Sequence, residues 1–263
     1  MFISLYLQTA VYILCYMSII FILAIILKNN SIVDIAWGFG FIIISLNGII
    51  NNNPSIEILL INSLVWLWGL RLSLHILLRN LGKSEDFRYN NWRKTWKNFY
   101  LRSFLQIFML QGIIMLVIAM PIIKINTIET FKIGFIQVFG IILFITGFLF
   151  ESIADYQLLK FKKDKENIGK IIKTGLWKYS RHPNYFGETI LWWGFALIAI
   201  NGSESLFVLL SPILITLLLI FVSGIPMLEK KYKENEEFKK YAETTPVFIP
   251  NFYLMLKDFI SVK

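Results

Sequence analysis

Cysteine is nearly absent. The single one, Cys15, lies in an apolar run, so no disulfide framework can form. Histidine occurs only as His75 and His182, and no Cys/His cluster has zinc-ligand spacing, so no metal site is expected. Neither a P-loop nor a Rossmann glycine pattern appears, which excludes the two commonest grips on a nucleotide phosphate. Charge is scarce: 16% of the 263 residues are charged, 56% are hydrophobic, and mean hydropathy is +0.63. A soluble domain would carry more charge and fewer apolar side chains. The net charge of +9 is explained below by its distribution, and no nucleic-acid partner is expected. The N-terminus lacks a basic n-region and a small-residue cleavage site, and it reads as a retained transmembrane helix.

What the chain does have is long apolar runs. A helix needs about 20 such residues to cross a bilayer core of about 30 Å. Seven stretches qualify or nearly do: Phe2–Leu27, Ile32–Ile50, Ile56–Leu78, Ser103–Ile123, Ile133–Leu159, Tyr185–Ile200 and Ser205–Leu228. None alternates in the manner of a barrel strand. The expectation is an all-α, polytopic membrane protein, a seven-helix bundle forming one domain over residues 1–263. Basic residues set its orientation. Segments 79–102, 160–181 and 229–263 carry seven, eight and seven Lys or Arg, whereas the intervening loops carry few. That puts the N-terminus outside and the C-terminus in the cytoplasm. The tail is charged as far as Pro246. Its end, from Phe252 to Ile260, either docks on the cytoplasmic face or lies in the membrane interface.

Ionisable groups inside a bilayer are costly, so their placement is informative. Asp34 lies near the inner end of the second run. Arg71 and His75 lie toward the inner end of the third, Glu151 and Asp155 end the fifth, and Asn184 and Glu188 begin the sixth. Each of the last three pairs has i,i+4 spacing and shares a helix face. Four helices thus bring polar groups to one depth, as a cavity open to the cytoplasm requires. Interhelical pairing is the structural alternative. Two basic segments, 79–102 with Tyr89, Trp92 and Trp96 among its charges and the lysine-rich 160–181, are suited to a phosphorylated cofactor, although positive-inside bias also accounts for their lysines.

The stretch "GLWKYSRHPNYFGE", with "ADYQLLKFKKD" before it and "LEKKYKENEEFKKY…FIP" after it, resembles the steroid 5α-reductase-type membrane proteins. "SIVDIAWGFGF", "LWGLRLSLHILLR" and "EDFRY" are similar to their bacterial DUF1295 branch. Membrane sterol reductases and isoprenylcysteine carboxyl methyltransferases share related motifs. The resemblance runs from about Ser31 to Pro250. It implies NADPH in a cytoplasm-facing cavity, with loops 79–102 and 160–184 and tail 229–263 closing over it, and a hydrophobic or lipid substrate arriving from the bilayer. It further implies a monomer in a bacterial inner membrane.

Residue by residue, the resemblance implies cofactor contacts for Glu151, Asp155, Tyr156, Lys162, Lys170, Tyr179, Arg181, His182, Asn184, Tyr185, Glu188 and Tyr232. It implies hydride transfer to the β-carbon of a conjugated carbonyl, with a hydrogen-bond donor at the carbonyl oxygen. Where the steroid enzymes have a Gln-Glu pair, this chain has Val33-Asp34, and their catalytic tyrosine aligns near Trp68. Asp34 would then act as a protonated donor, assisted by Arg71 or His75, with Trp37 and Trp68 beside the substrate. Two alternatives are an S-adenosylmethionine-dependent membrane methyltransferase and a non-catalytic lipid-binding protein. A methyltransferase has no 2′-phosphate to hold, so the lysines after Asp155 favour NADPH.

Overall fold

The structure is a computed structural model and describes residues 1–261, without the side chains of Glu204 and Lys231. Among the described residues all regular structure is helical, with no strand. Six helices are long and apolar enough to cross a membrane: α1 (Phe2–Leu27), α2 (Ile32–Asn52), α3 (Ile56–Asn80), Phe99–Ile118, Phe135–Lys163 and Ser205–Lys230.

The remaining expected run forms a helix over Pro183–Ala199, 17 residues long. Pro183 starts it, where a missing N–H costs nothing. At 1.5 Å per residue its length is about 25 Å, less than the bilayer core. Two other runs differ most from expectation in their bounds. The fourth run begins earlier, at Phe99, and stops at Ile118 after a π-helical turn over Phe104–Met109. A separate short helix, Met120–Ile125, follows, because Pro121 cannot continue the hydrogen-bond ladder. The fifth continues to Lys163, where Lys160, Lys162 and Lys163 lie favourably in the last turn.

The chain forms two compact units, Met1–Gly134 with Ala199–Ser211, and Phe135–Ile198 with Pro212–Lys263. In the first, α2 and α3 cross where Gly38 faces Gly69. A Cβ on Gly69 would come within 2.7 Å of the Gly38 carbonyl oxygen. Small residues of this kind let helices approach in lipid, where dispersion and hydrogen bonds hold the bundle. Buried amides supply the hydrogen bonds: Asn62 donates to Asn126 at 3.0 Å, Asn126 returns a bond at 3.1 Å, and Asn47 donates to Thr9 at 2.8 Å.

The second unit repeats the device. A Cβ on Gly147 would lie 2.5 Å from the Gly187 carbonyl oxygen, and one on Gly194 would lie 2.6 Å from that of Gly140. The Pro183–Ala199 helix therefore lies backbone-to-backbone against Phe135–Lys163. Two tail helices span Glu236–Thr244 and Phe252–Ser261. The second of them docks through Phe252, whose ring lies 5.9 Å from Phe186 and 6.4 Å from Phe150. Its other face exposes Tyr253, Leu256 and Ile260. Docking and an outward apolar face thus coexist.

Candidate functional site

In the first unit the site is built around Asp34, in the first turn of α2. Helix α1 ends in a left-handed residue, Lys28, and the Asn29 N–H returns to Ala24 O at 3.0 Å. This cap turns the chain so that Asn30 and Ser31 meet the segment before α4 (Phe87–Thr95). Glu85 accepts from the Asn30 N–H at 2.7 Å, and the Asp86 N–H donates to Ser31 Oγ at 2.8 Å. Asp86 then caps α4 by accepting from the Arg88 N–H at 3.0 Å. With the helix start fixed, Arg88 Nη2 reaches Asp34 Oδ2 at 3.0 Å and Tyr89 Oη donates to Asp34 Oδ1 at 2.7 Å.

Both carboxyl oxygens of Asp34 are thus engaged, one by a guanidinium and one by a phenol. Burial pushes the Tyr89 phenol well above its ordinary range, and the Asp34 charge adds to this, so Tyr89 keeps its proton. Burial opposes the charge on Arg88, but the Asp34 carboxylate outweighs it and raises the guanidinium's pKa. Burial likewise opposes ionisation of Asp86, yet hydrogen bonds from Arg88 hold its carboxyl below the usual range.

Trp37, Phe41 and Trp68 form an edge-to-face chain with centroid separations of 5.7 and 5.2 Å. Trp68 is fully buried and Trp37 half-buried. Arg71 and His75 are half-buried, one turn apart on α3.

In the second unit Asn184 Nδ2 donates to Asp155 Oδ1 at 3.1 Å. The Gly147–Gly187 approach makes this possible, because any side chain at 187 would press on the backbone of Glu151. Asp155 and, one turn earlier, Glu151 are buried on the same face of their helix. Asn184 Oδ1 is also buried, and it has no hydrogen-bond partner. Glu188 follows one turn on and is half-buried. Tyr156 is 64% exposed, and Lys162 and Lys170 are exposed.

The rest of the motif is held by the tail. Arg181 donates to Glu229 at 2.9 Å through Nε and to the Ala242 carbonyl at 2.9 Å, and its own N–H bonds Pro246 O at 2.9 Å. His182 Nε2 lies 3.0 Å from Glu229 Oε1, with its ring stacked on Tyr185. Tyr179 Oη and Lys178 Nζ both donate to Asp258, at 2.8 and 2.6 Å. These bonds, first from Lys178 and then from Tyr179, hold the Asp258 carboxyl below the usual range, and the same bond raises Tyr179. Tyr232 packs on Phe238, 5.6 Å between centroids.

Sequence reasoning missed Glu229 and Asp258, and it treated Arg88 and Tyr89 as part of a basic loop. A lone carboxylate at the end of an apolar run, as Glu229 is, was the available signal for a partner to Arg181 and His182.

The family model described as "Protein of unknown function (DUF1295)" matches residues 20–245. The chain belongs to the DUF1295 family. This DUF1295 protein is also similar to a Rattus norvegicus protein named 3-oxo-5-alpha-steroid 4-dehydrogenase 2. They are 41% identical over 59 residues, 22% of this chain and 23% of the relative. Similarity to the Mus musculus 3-oxo-5-alpha-steroid 4-dehydrogenase 1 is 30% over 113 residues, 42% and 40% of the two chains. The matches thus span less than half the length of these curated relatives. No solved structure matches.

Proposed function

We propose that the chain is an NADPH-dependent membrane reductase acting on an activated, enone-type double bond of a steroid-like or other lipid. Family membership and the likeness to two proteins named as steroid dehydrogenases support the oxidoreductase class. One observation carries the cofactor reading: Asn184 gives its N–H to Asp155 and leaves a buried, unpartnered carbonyl oxygen. An unpaired buried acceptor costs roughly 1–3 kcal/mol, which a ligand's N–H or O–H would offset. The carboxamide and ribose hydroxyls of NADPH are donors of that kind.

In this reading Asp155 fixes the Asn184 amide, and Glu151 and Glu188 supply further acceptors. Lys162 and Lys170 offer charge for the 2′-phosphate. Arg181, His182 and Tyr179 act as positioning residues through Glu229 and Asp258. When bound, NADPH supplies the hydride. The acceptor's carbonyl oxygen gains negative charge during reduction and needs a donor. That role is assigned to Asp34, assisted by Arg71 and His75. Tyr89 orients Asp34 through its hydroxyl hydrogen bond, and Trp37 is assigned to the substrate.

The Pro183–Ala199 helix is read as a seventh crossing, with the N-terminus outside and the C-terminus in the cytoplasm of a bacterial cell. The concentration of basic residues in 79–102, 160–181 and 229–263 supports this orientation.

The test is ligand-dependent stabilisation of the full chain in mild detergent. NADPH is expected to raise the melting temperature through mass action, and S-adenosylmethionine to leave it unchanged. Asn184→Ala and Glu188→Ala are expected to weaken the NADPH effect. Stabilisation by S-adenosylmethionine instead would assign the chain to the methyltransferases.

A further inference from the structure

We propose that the hydroxyl of Thr189 is a ligand-binding group, a donor to an uncharged carbonyl oxygen held beside the Pro183–Ala199 helix. The inference deepens the proposed function and rests on it for the source of that carbonyl.

Thr189 lies within an unbroken helix and is 4% exposed. Its Oγ1 is buried and makes no hydrogen bond among the described residues. Threonine inside a helix can give its proton to the carbonyl four residues back. Elsewhere in this chain it does so: Thr9 donates to Leu5 O at 2.7 Å, Thr95 to Asn91 O at 3.0 Å, and Thr216 to Pro212 O. Thr189 departs from all three. A buried hydroxyl whose proton has no acceptor is destabilising, and a ligand oxygen would relieve it. The other unbonded hydroxyls have plainer accounts. Those of Ser55 and Ser152 belong to half-buried residues. Ser73 Oγ is packed into the α2–α3 contact, where a Cβ on Gly38 would lie 2.6 Å from it.

The surroundings define the acceptor. Trp192 and Ala196, at i+3 and i+7, share the side of the helix that carries Thr189, and both are fully buried. No Lys or Arg occurs within Pro183–Ala199, and the residue before Thr189 is Glu188. A phosphate or carboxylate would find no countercharge on this helix, which leaves a neutral oxygen. Tyr185, one turn before Thr189, is half-buried, so this side opens toward the helix start. Asn184 lies about 7.5 Å nearer that start and about 140° around the axis. Thr189 therefore meets a different ligand atom from the one at Asn184. Two molecules of the proposed reaction carry a neutral carbonyl oxygen: the nicotinamide carboxamide of NADPH, and the enone that accepts the hydride.

The experiment uses the full chain in mild detergent with the variants Thr189→Val and Thr189→Ser. Valine keeps the shape and removes the hydroxyl. Without ligand, Thr189→Val should raise the melting temperature by about 2–4 °C, because an unmet donor is gone. A hydroxyl with a merely structural role gives the opposite sign, so a lower melting temperature would overturn the proposal. Affinity is then measured for NADPH, for 2′-phospho-ADP-ribose, which lacks the nicotinamide, and for the enone progesterone. NADPH binding weakened about tenfold by Thr189→Val, with 2′-phospho-ADP-ribose unaffected, assigns the oxygen to the carboxamide. Progesterone binding weakened as much, with NADPH unaffected, assigns it to the hydride acceptor. Thr189→Ser should keep wild-type affinity in either case. A Thr189→Val chain that matches the wild type with every probe would also overturn the proposal. A wild-type chain that binds neither nucleotide fails the reductase reading and this inference together, whereas the other failures leave that reading in place.

Discussion

Asn184 donates to Asp155 at 3.1 Å while its own carbonyl oxygen is buried without a partner. One half of the amide is thus fixed and the other half is available. The pairing also carries a stability cost when broken. Asp155→Ala should leave both ends of Asn184 unpaired and destabilise the chain by about 1–3 kcal/mol. The same variant should lose NADPH-dependent stabilisation. Thermal melts with and without nucleotide check both, and unchanged melts would remove Asp155 from the site.

Gly187 is the residue that lets this pair form. A methyl group there presses on the Glu151 backbone, which cannot yield as a flexible side chain can. Gly187→Ala should separate the two helices and cost about 1–3 kcal/mol, as overpacking does. Loss of the Asn184–Asp155 bond should follow. An Ala variant that melts and binds nucleotide as the wild type does would show the helices have slack.

Tyr89→Phe removes one hydrogen bond to Asp34 and leaves the Arg88 ion pair in place. The expected loss of stability is about 1 kcal/mol. Turnover should fall far more than nucleotide affinity does, because the variant retains the chain's shape but not the hydrogen bond that orients Asp34. Asp34→Asn should behave alike. Measuring kcat and NADPH affinity side by side decides it. Equal losses in both would make the cluster structural.

Glu229 collects Arg181 and His182 at the end of the Ser205–Lys230 span. Glu229→Ala leaves both donors without their carboxylate, and the tail loses a principal tie to the "RHPNY" segment. Limited proteolysis should cleave between 230 and 250 at least about tenfold faster, following the larger open population. Unaltered cleavage would mean that the bonds from Tyr241 Oη to the Trp177 and Ser180 carbonyls, with that from the Arg181 N–H to Pro246 O, hold the tail alone.

The Asp258 tie is pH-dependent. Its carboxyl is held below the usual range, so its folded pKa lies under its unfolded one of about 3.9. Its contribution is therefore complete above about pH 4 and lost as pH falls through the folded value. Detachment of the Phe252–Ser261 helix should accordingly appear only on acidification below that point. Hydrogen exchange of that helix follows the transition, and Asp258→Asn should abolish its pH dependence.

The six long helices, the helical class and the family were legible in the chain itself. Length and hydropathy decide whether a segment can cross lipid, and backbone hydrogen bonds in lipid leave a helix as the form for such runs. The motif "RHPNYFGE" was legible too. Two features were not. Sequence spacing cannot tell which charges will meet, because contacts such as Arg88–Asp34 and Arg181–Glu229 join residues about 50 positions apart. Nor does it reveal where two backbones touch. Only the packed helices decided that Gly187 is a contact point, that Arg181 belongs to the tail and that Asn184 keeps one free acceptor. Hydropathy is a property of each residue alone, whereas a hydrogen bond across helices depends on where both partners come to rest.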